Sequence, residues 1–181
     1  LYVADWHNAL IGHMQHNARD PLRDHVHGRI YRVTYPSRPL IEPAKVHGAS
    51  IPELLETLKH PQLRTRYRVR RELRGRDSEE VLPALKSWAA KQNDERLKLE
   101  ALWVGWGHNA VDLELLEALF TSSDHRIRSA AVSVARYNID QLPAAIELVE
   151  SASQDPHSRV RLEALVAASW LPAEIGLPIV E

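Results

Sequence analysis

Apolar and polar positions follow two different periods along this chain, and the change between them falls near residue 47. Before it the period is two. Leu1-Tyr2-Val3-Ala4-Asp5-Trp6 is short, aromatic and β-branched, which predicts a strand. Gly28 to Tyr35 alternates with Tyr31, Val33 and Tyr35 on one face, and Pro36, which cannot donate to a ladder, ends it. Two strands alone are marginal in water, so this ribbon is expected to belong to a larger sheet or to pack on the rest of the chain.

From residue 48 onward the apolar positions recur at about 3.6 residues, the period of helices. Ser50-Ile51-Pro52-Glu53 is a capping box with proline in the first turn, opening Leu54, Leu55 and Leu58. His60-Pro61 breaks the chain before a second helix. Asp77-Ser78 starts Val81 to Trp88, and Asn93-Asp94 starts the next helix. Val111 to Phe120 and Leu142 to Val149 read as first helices of later pairs. Ser122-Ser123-Asp124 and Gln154-Asp155-Pro156 are the tight turns inside those pairs.

A repeat underlies these helices. Arg96-Leu-Lys-Leu-Glu-Ala-Leu102 and Arg159-Val-Arg-Leu-Glu-Ala-Leu165 agree at five of seven positions, and Arg126-Ile-Arg-Ser-Ala-Ala-Val132 keeps the frame between them. The second basic residue of each copy is Arg66, Lys98, Arg128 and Arg161, at steps of 32, 30 and 33 residues. One helix pair cannot bury its apolar face alone, whereas stacked neighbours form a continuous core. The frame Asp155 to Ala164 resembles HEAT-like repeats of the phycobilisome-lyase type. That resemblance implies a ladder between neighbouring repeats, for which Asp155 and Arg161 have the spacing. His60, Gln92 and Ser122 hold the acidic position in the other copies, so a continuous ladder is not expected. Asp94 and Asp124 fall where helix N-caps do. The expected fold is mainly α: an α-α superhelix of about four HEAT-like helix pairs (residues 48–181). A short N-terminal β-hairpin or remnant propeller blade (residues 1–47) would cap it.

Composition narrows the function. The 181 residues carry 23 Lys and Arg against 24 Asp and Glu, a formal net charge of −1. Bulk attraction to a polyanion is therefore excluded, and a nucleic-acid role would need a local patch. The one candidate is Arg64, Arg66, Arg68, Arg70, Arg71, Arg74 and Arg76, in which Arg64, Arg68 and Arg71 share a helical stripe. Pairing of these arginines with carboxylates of the preceding segment, of Glu79 and Glu80 or of the next helix is the simpler expectation. Nucleic-acid binding is the alternative. The chain has no cysteine, which excludes a disulfide scaffold and a CxxCH haem attachment within it. No apolar run reaches the length of a membrane span. The five tryptophans and the single Met read as core, and Gly107-His108-Asn109 as a glycine helix end with His108 at the surface or in a cap.

Five of the ten histidines lie in the first 27 residues. The segment between the two strands brings together Asp5, His7, His13, His16, Asp20, Asp24, His25 and His27. His13 and His16 at i, i+3, with His25 and His27 on one side of an extended segment, could give a zinc-like ion three or four ligands. The competing reading is that these side chains hydrogen-bond one another and pin the loop; Arg19, Arg23 and Arg29, interleaved with Asp20 and Asp24, favour it.

Leu1 to Asn8, Ile11-Gly-His-Met-Gln-His16, Arg19-Asp-Pro21, Arg23-Asp-His25 and His27 to Arg32 together resemble one family. They are similar to the closing part of the β-propeller in planctomycete-type large membrane-bound dehydrogenase-like proteins. There a sugar-dehydrogenase-like propeller runs directly into HEAT-like repeats and often into a c-type haem domain. The resemblance implies a fragment of an exported, periplasmic oxidoreductase, with any haem or quinone elsewhere in the parent. Its partners would be the parent's other domains or a separate protein. The start at Leu1, already within an apolar alternation, carries the same expectation of a piece of a longer polypeptide. The expected function is a scaffold or protein-interaction repeat domain, the alternative being a metal or substrate site completed by the histidine-rich loop.

Overall fold

A computed structural model describes residues 1–5, 21, 24, 26–37, 39 and 42–180. Its contacts divide the chain into two units, Leu1–Pro43 and Ala44–Glu181. Val46 and Ala49 are buried with the helices, so the second unit's packing begins just ahead of its first helix.

In the first unit, β1 (Tyr2–Asp5) pairs antiparallel with β2 (Arg29–Arg32), placing Val3 opposite Tyr31 and Ala4 opposite Ile30. Leu1 and Val33 extend the ladder with backbone bonds of 2.8 and 3.0 Å. The second strand ends at Arg32, short of the predicted Tyr35.

The described residues of the second unit form nine helices: α1 (Ile51–Thr57), α2 (Leu63–Arg74), α3 (Ser78–Ala89), α4 (Glu95–Gly107), α5 (Leu113–Phe120), α6 (His125–Asn138), α7 (Ala145–Ser153), α8 (Ser158–Ala168) and α9 (Ala173–Val180). The protein is thus mainly helical, with one small antiparallel sheet. The helices pack in sequential pairs, α1 on α2, α3 on α4, α5 on α6 and α7 on α8. The second helix of each pair also touches the next second helix, so α2, α4, α6 and α8 make a continuous row. Two apolar clusters fill the unit and meet at α4, which gives Leu97, Ala101 and Val104 to one and Leu99 and Leu102 to the other. The apolar pattern does not mark residues 169–180 as a separate element; α9 packs on α7 and α8 and buries Ile179.

Local chemistry sets the helix ends. The Glu53 carboxylate accepts from the Ser50 N–H and hydroxyl at 2.7 and 2.8 Å, as the capping box predicts. Asp94 and Asp124 cap α4 and α6 by accepting from Arg96 and Arg126 N–H. The N-cap positions of the second helices are Gln62, Asp94, Asp124 and His157, the last three with side-chain caps, at the spacing already seen in the cations four residues later.

The end of α4 differs from its prediction. The left-handed residue is Asn109 (φ 53°), whereas Gly107 is still helical. The Asn109 N–H bonds Trp106 O and the Ala110 N–H bonds Gly105 O, a Schellman pattern with asparagine in the left-handed place. Gly105 is the glycine this turn requires, because a Cβ there would lie 2.7 Å from Ala110 O. His108 is half-buried; its Nε2 donates to Leu73 O (3.1 Å) and its Nδ1 takes the Ser78 hydroxyl (2.8 Å), tying the ends of α2 and α4 to the start of α3. Among the described residues no helix is long and apolar enough to cross a membrane.

Gly105→Ala is expected to destabilise the chain by about 1–3 kcal/mol, because a backbone carbonyl must move, although alanine is the better helix former. Urea unfolding followed by circular dichroism measures it; a neutral or stabilising result would contradict the close approach.

Candidate functional site

The four register cations occupy one structural position, the fourth residue of each second helix. Arg66 donates Nη1–H to His60 O, Arg128 to Ser122 O and Arg161 to Asp155 O, each six residues back, at 2.9, 2.7 and 2.8 Å. These carbonyls follow the ends of the first helices, where helical partners have run out and a positive charge is favoured. Lys98 has no planar fork and makes no such bond; in that pair the Gln92 side chain donates to Trp88 O instead.

The remaining nitrogens of two of these arginines reach the next pair. Arg128 binds the Asp155 carboxylate through Nε and Nη2 at 2.7 and 2.9 Å. Asp155 therefore joins neighbouring pairs through its carboxylate to Arg128, while Arg161 takes its main-chain carbonyl. The Arg128 guanidinium, helped by the His157 N–H, holds the Asp155 carboxyl below the usual carboxylate range. Arg66 Nε donates at 2.8 Å to Glu100, which also accepts from Arg70 and is only 1% exposed. One buried carboxylate in α4 thus holds two arginines of α2.

The arginine-rich segment is accordingly divided in its roles. Arg66 and Arg70 pair with Glu100, and Arg76 pairs with Glu72 (2.7 Å) and donates to Ala49 O. The expected acceptors Glu79 and Glu80 are not used. Arg64 and Arg68 make no ion pair among the described residues. Arg71 lies over the Tyr67 ring at 6.0 Å, and Arg74 runs along Gly107.

Aromatic side chains define the rest of this surface. Of the tryptophans expected in the core, only Trp88 is buried there; Trp103 and Trp106 are half-buried, Trp170 is 64% exposed, and Trp6 lies outside the described residues, as does Met14. A core needs full enclosure, and these rings stand on the flank of the second-helix row. Trp106 stacks on Tyr137 (5.5 Å), and Tyr137 meets Trp170 edge-on (5.6 Å). Arg70 covers Trp103 at 4.9 Å, and Arg136 lies 4.5 and 5.2 Å from the Tyr137 and Trp170 rings. A groove of about 510 Å³ opens between α2 and α4, walled by Tyr67, Trp103 and Trp106 and edged by Arg70, Arg71 and Arg74. Trp106, Tyr137 and Trp170 are 31 and 33 residues apart, so the cations' own period could have revealed this row.

Charge is sorted between the rows. The first helices α1, α3, α5 and α7 carry Glu53, Glu56, Glu79, Glu80, Glu114, Glu117, Glu147 and Glu150 against Lys86 alone. The second helices α2, α4, α6 and α8 carry thirteen Arg and Lys against Glu72, Glu95, Glu100 and Glu163. The near-zero total conceals an acidic row and a basic, aromatic one.

In the first unit, Asp24 accepts from the Val26 and His27 N–H groups at 3.0 Å and from His27 Nδ1 at 2.9 Å. Those two backbone bonds foremost lower its pKa to about 2. Asp24 and His27 therefore pin this stretch to itself. Asp5 stands at the end of β1, opposite Arg29. The other ligand candidates, His7, His13, His16, Asp20 and His25, lie outside the described residues. Among the described residues no three His, Asp or Glu side chains cluster as a metal site would require. No protein-family model matches the chain, and no curated protein matches it.

Two variants test the polar joints. Glu100→Gln leaves Arg66 and Arg70 without a compensating charge and should cost about 3 kcal/mol in urea unfolding. Asp155→Asn should cost about 1–3 kcal/mol at neutral pH, the worth of a charged hydrogen-bond pair. Because the folded pKa of Asp155 is lowered, its contribution is complete above the unfolded value of about 4 and fades as pH falls through the folded one. The gap between Asp155→Asn and the parent chain should therefore close in acid; a gap independent of pH would exclude the ion pair as its source.

Proposed function

We propose that the helical unit is a repeat scaffold that presents its second-helix row to a protein partner. The observation that carries this reading is the sorting of charge and aromatic residues by row. Trp, Tyr and Arg, the residue types that dominate binding energy at protein interfaces, are concentrated on α2, α4 and α6 and just beyond α8. The finer architecture belongs to the same proposal. The recurring N-caps, the arginine bonds six residues back and the Arg128–Asp155 joint support a HEAT-like α-superhelix, in which each pair contacts its neighbours.

The context we propose is a larger, exported dehydrogenase-like protein, on the strength of the resemblance in residues 1–32. The exposure of Tyr2, Ile30 and Val33 on both faces of the ribbon is what strands of an incomplete sheet would show, and it supports the same context. The partner would then be another domain of the same polypeptide or a redox partner docked beside it.

Site-specific photo-crosslinking in the producing cell tests the scaffold. A benzophenone side chain at Tyr137 on the second row should give discrete protein adducts, and one at Glu114 on the first row should give few. Absence of adducts from the second row, or equal adducts from both, would sink the reading.

A further inference from the structure

Resting on that scaffold reading, we propose that the groove between α2 and α4 binds an acidic protein segment anchored by an apolar side chain. Three features of the groove select this ligand. Its walls are the rings of Tyr67, Trp103 and Trp106, which offer an apolar slot. At about 510 Å³ it has the volume of a typical ligand site, enough for one or two large side chains. Its rim is cationic, and much of that charge is unspent. Arg71 and Arg74 have no carboxylate within ion-pair distance among the described residues. Arg70 shares the single charge of Glu100 with Arg66, so this trio also keeps a net positive charge. Farther along the row, Arg136 rests on Tyr137 and Trp170 without a carboxylate partner, and its Nε is buried with no hydrogen bond. An incoming segment bearing Asp or Glu on both sides of a Leu, Phe or Trp would satisfy the rim while its apolar side chain enters the slot.

A nucleic-acid strand would use the same cations but needs open ring faces on which bases stack. Here each ring already carries one neighbour, Trp103 Arg70, Tyr67 Arg71 and Trp106 Tyr137, and the rings line a slot rather than an open row of platforms. The second-helix row therefore suits side chains inserted beside the rings better than bases laid upon them.

Fluorescence anisotropy of the full chain against short labelled probes decides the matter. The probes are a peptide of Glu interspersed with Leu and Trp, its Lys-for-Glu counterpart, an all-Glu peptide and oligo-dT. The mixed acidic peptide should bind best, and the Lys counterpart should not bind. Tyr67→Ala and Arg74→Glu, both at exposed positions, should each weaken the mixed peptide at least tenfold, as groove anchors do. Arg64→Glu, on the same helix but outside the groove, should change it less than twofold. All-Glu binding as tight as the mixed peptide, or equal losses from Arg64→Glu and Arg74→Glu, would reduce the effect to bulk charge and overturn the proposal. Tighter binding of oligo-dT would reassign the row to nucleic acid. Salt-sensitive self-association of the chain that Arg74→Glu abolishes would reassign the groove to a second copy. No binding of any peptide, with second-row crosslinks still forming, would reject the acidic ligand while leaving the scaffold in place.

Discussion

The helical unit depends on an arginine, four residues past the N-cap of a second helix, that reaches back to a carbonyl left over from the first. Arg66, Arg128 and Arg161 each make this bond. It fixes the short turn between two helices and gives a hydrogen-bond partner to a group that would otherwise need water. A guanidinium has donors to spare. Having closed its own pair, Arg128 takes the Asp155 carboxylate and Arg66 takes Glu100, so the group that sets the angle within one pair also sets the spacing to the next. Lys98 makes neither bond among the described residues, and the second pair relies on α4 being buried on several sides.

That burial explains why α4 is the centre of the unit. It belongs to both apolar clusters, and it holds the one deeply buried carboxylate among the described residues, Glu100. A buried charge survives only when it is matched, and here two arginines match it. The consequence reaches the surface: Arg70 is pulled toward Glu100 and over Trp103, which shapes one wall of the groove, while Arg71 and Arg74 stay at its edge. The interior polar joint and the exposed aromatic face are parts of one arrangement.

Much of the helical framework is legible in the sequence because it rests on local rules. Caps at Ser50, Asp94 and Asp124 are decided within a few residues, and the cation register is visible as a spacing. Glu100 is not legible as an ion-pair centre, since its partners lie 34 and 30 residues away and no other copy repeats the pair. Trp103, Trp106 and Trp170 read as core in the sequence because a linear pattern reports that a residue is apolar, not whether a further layer covers it. At the end of α4 a glycine does matter, but it is a different one from the glycine the pattern points to. Gly107 is an ordinary helical residue, whereas Gly105 makes room for a carbonyl and Asn109 takes the left-handed turn.

The sorting of charge into two rows gives the helical unit an electrical polarity that the chain's isoelectric point does not reveal. Within the helical unit the acidic first helices form one pole and the basic second helices the other. A unit so divided would turn a different side to a positive surface than to a negative one. At physiological salt the Debye length is roughly 8 Å, so this polarity steers only the last approach. In that interval it would rotate the aromatic row toward a negatively charged neighbour before any side chain touches.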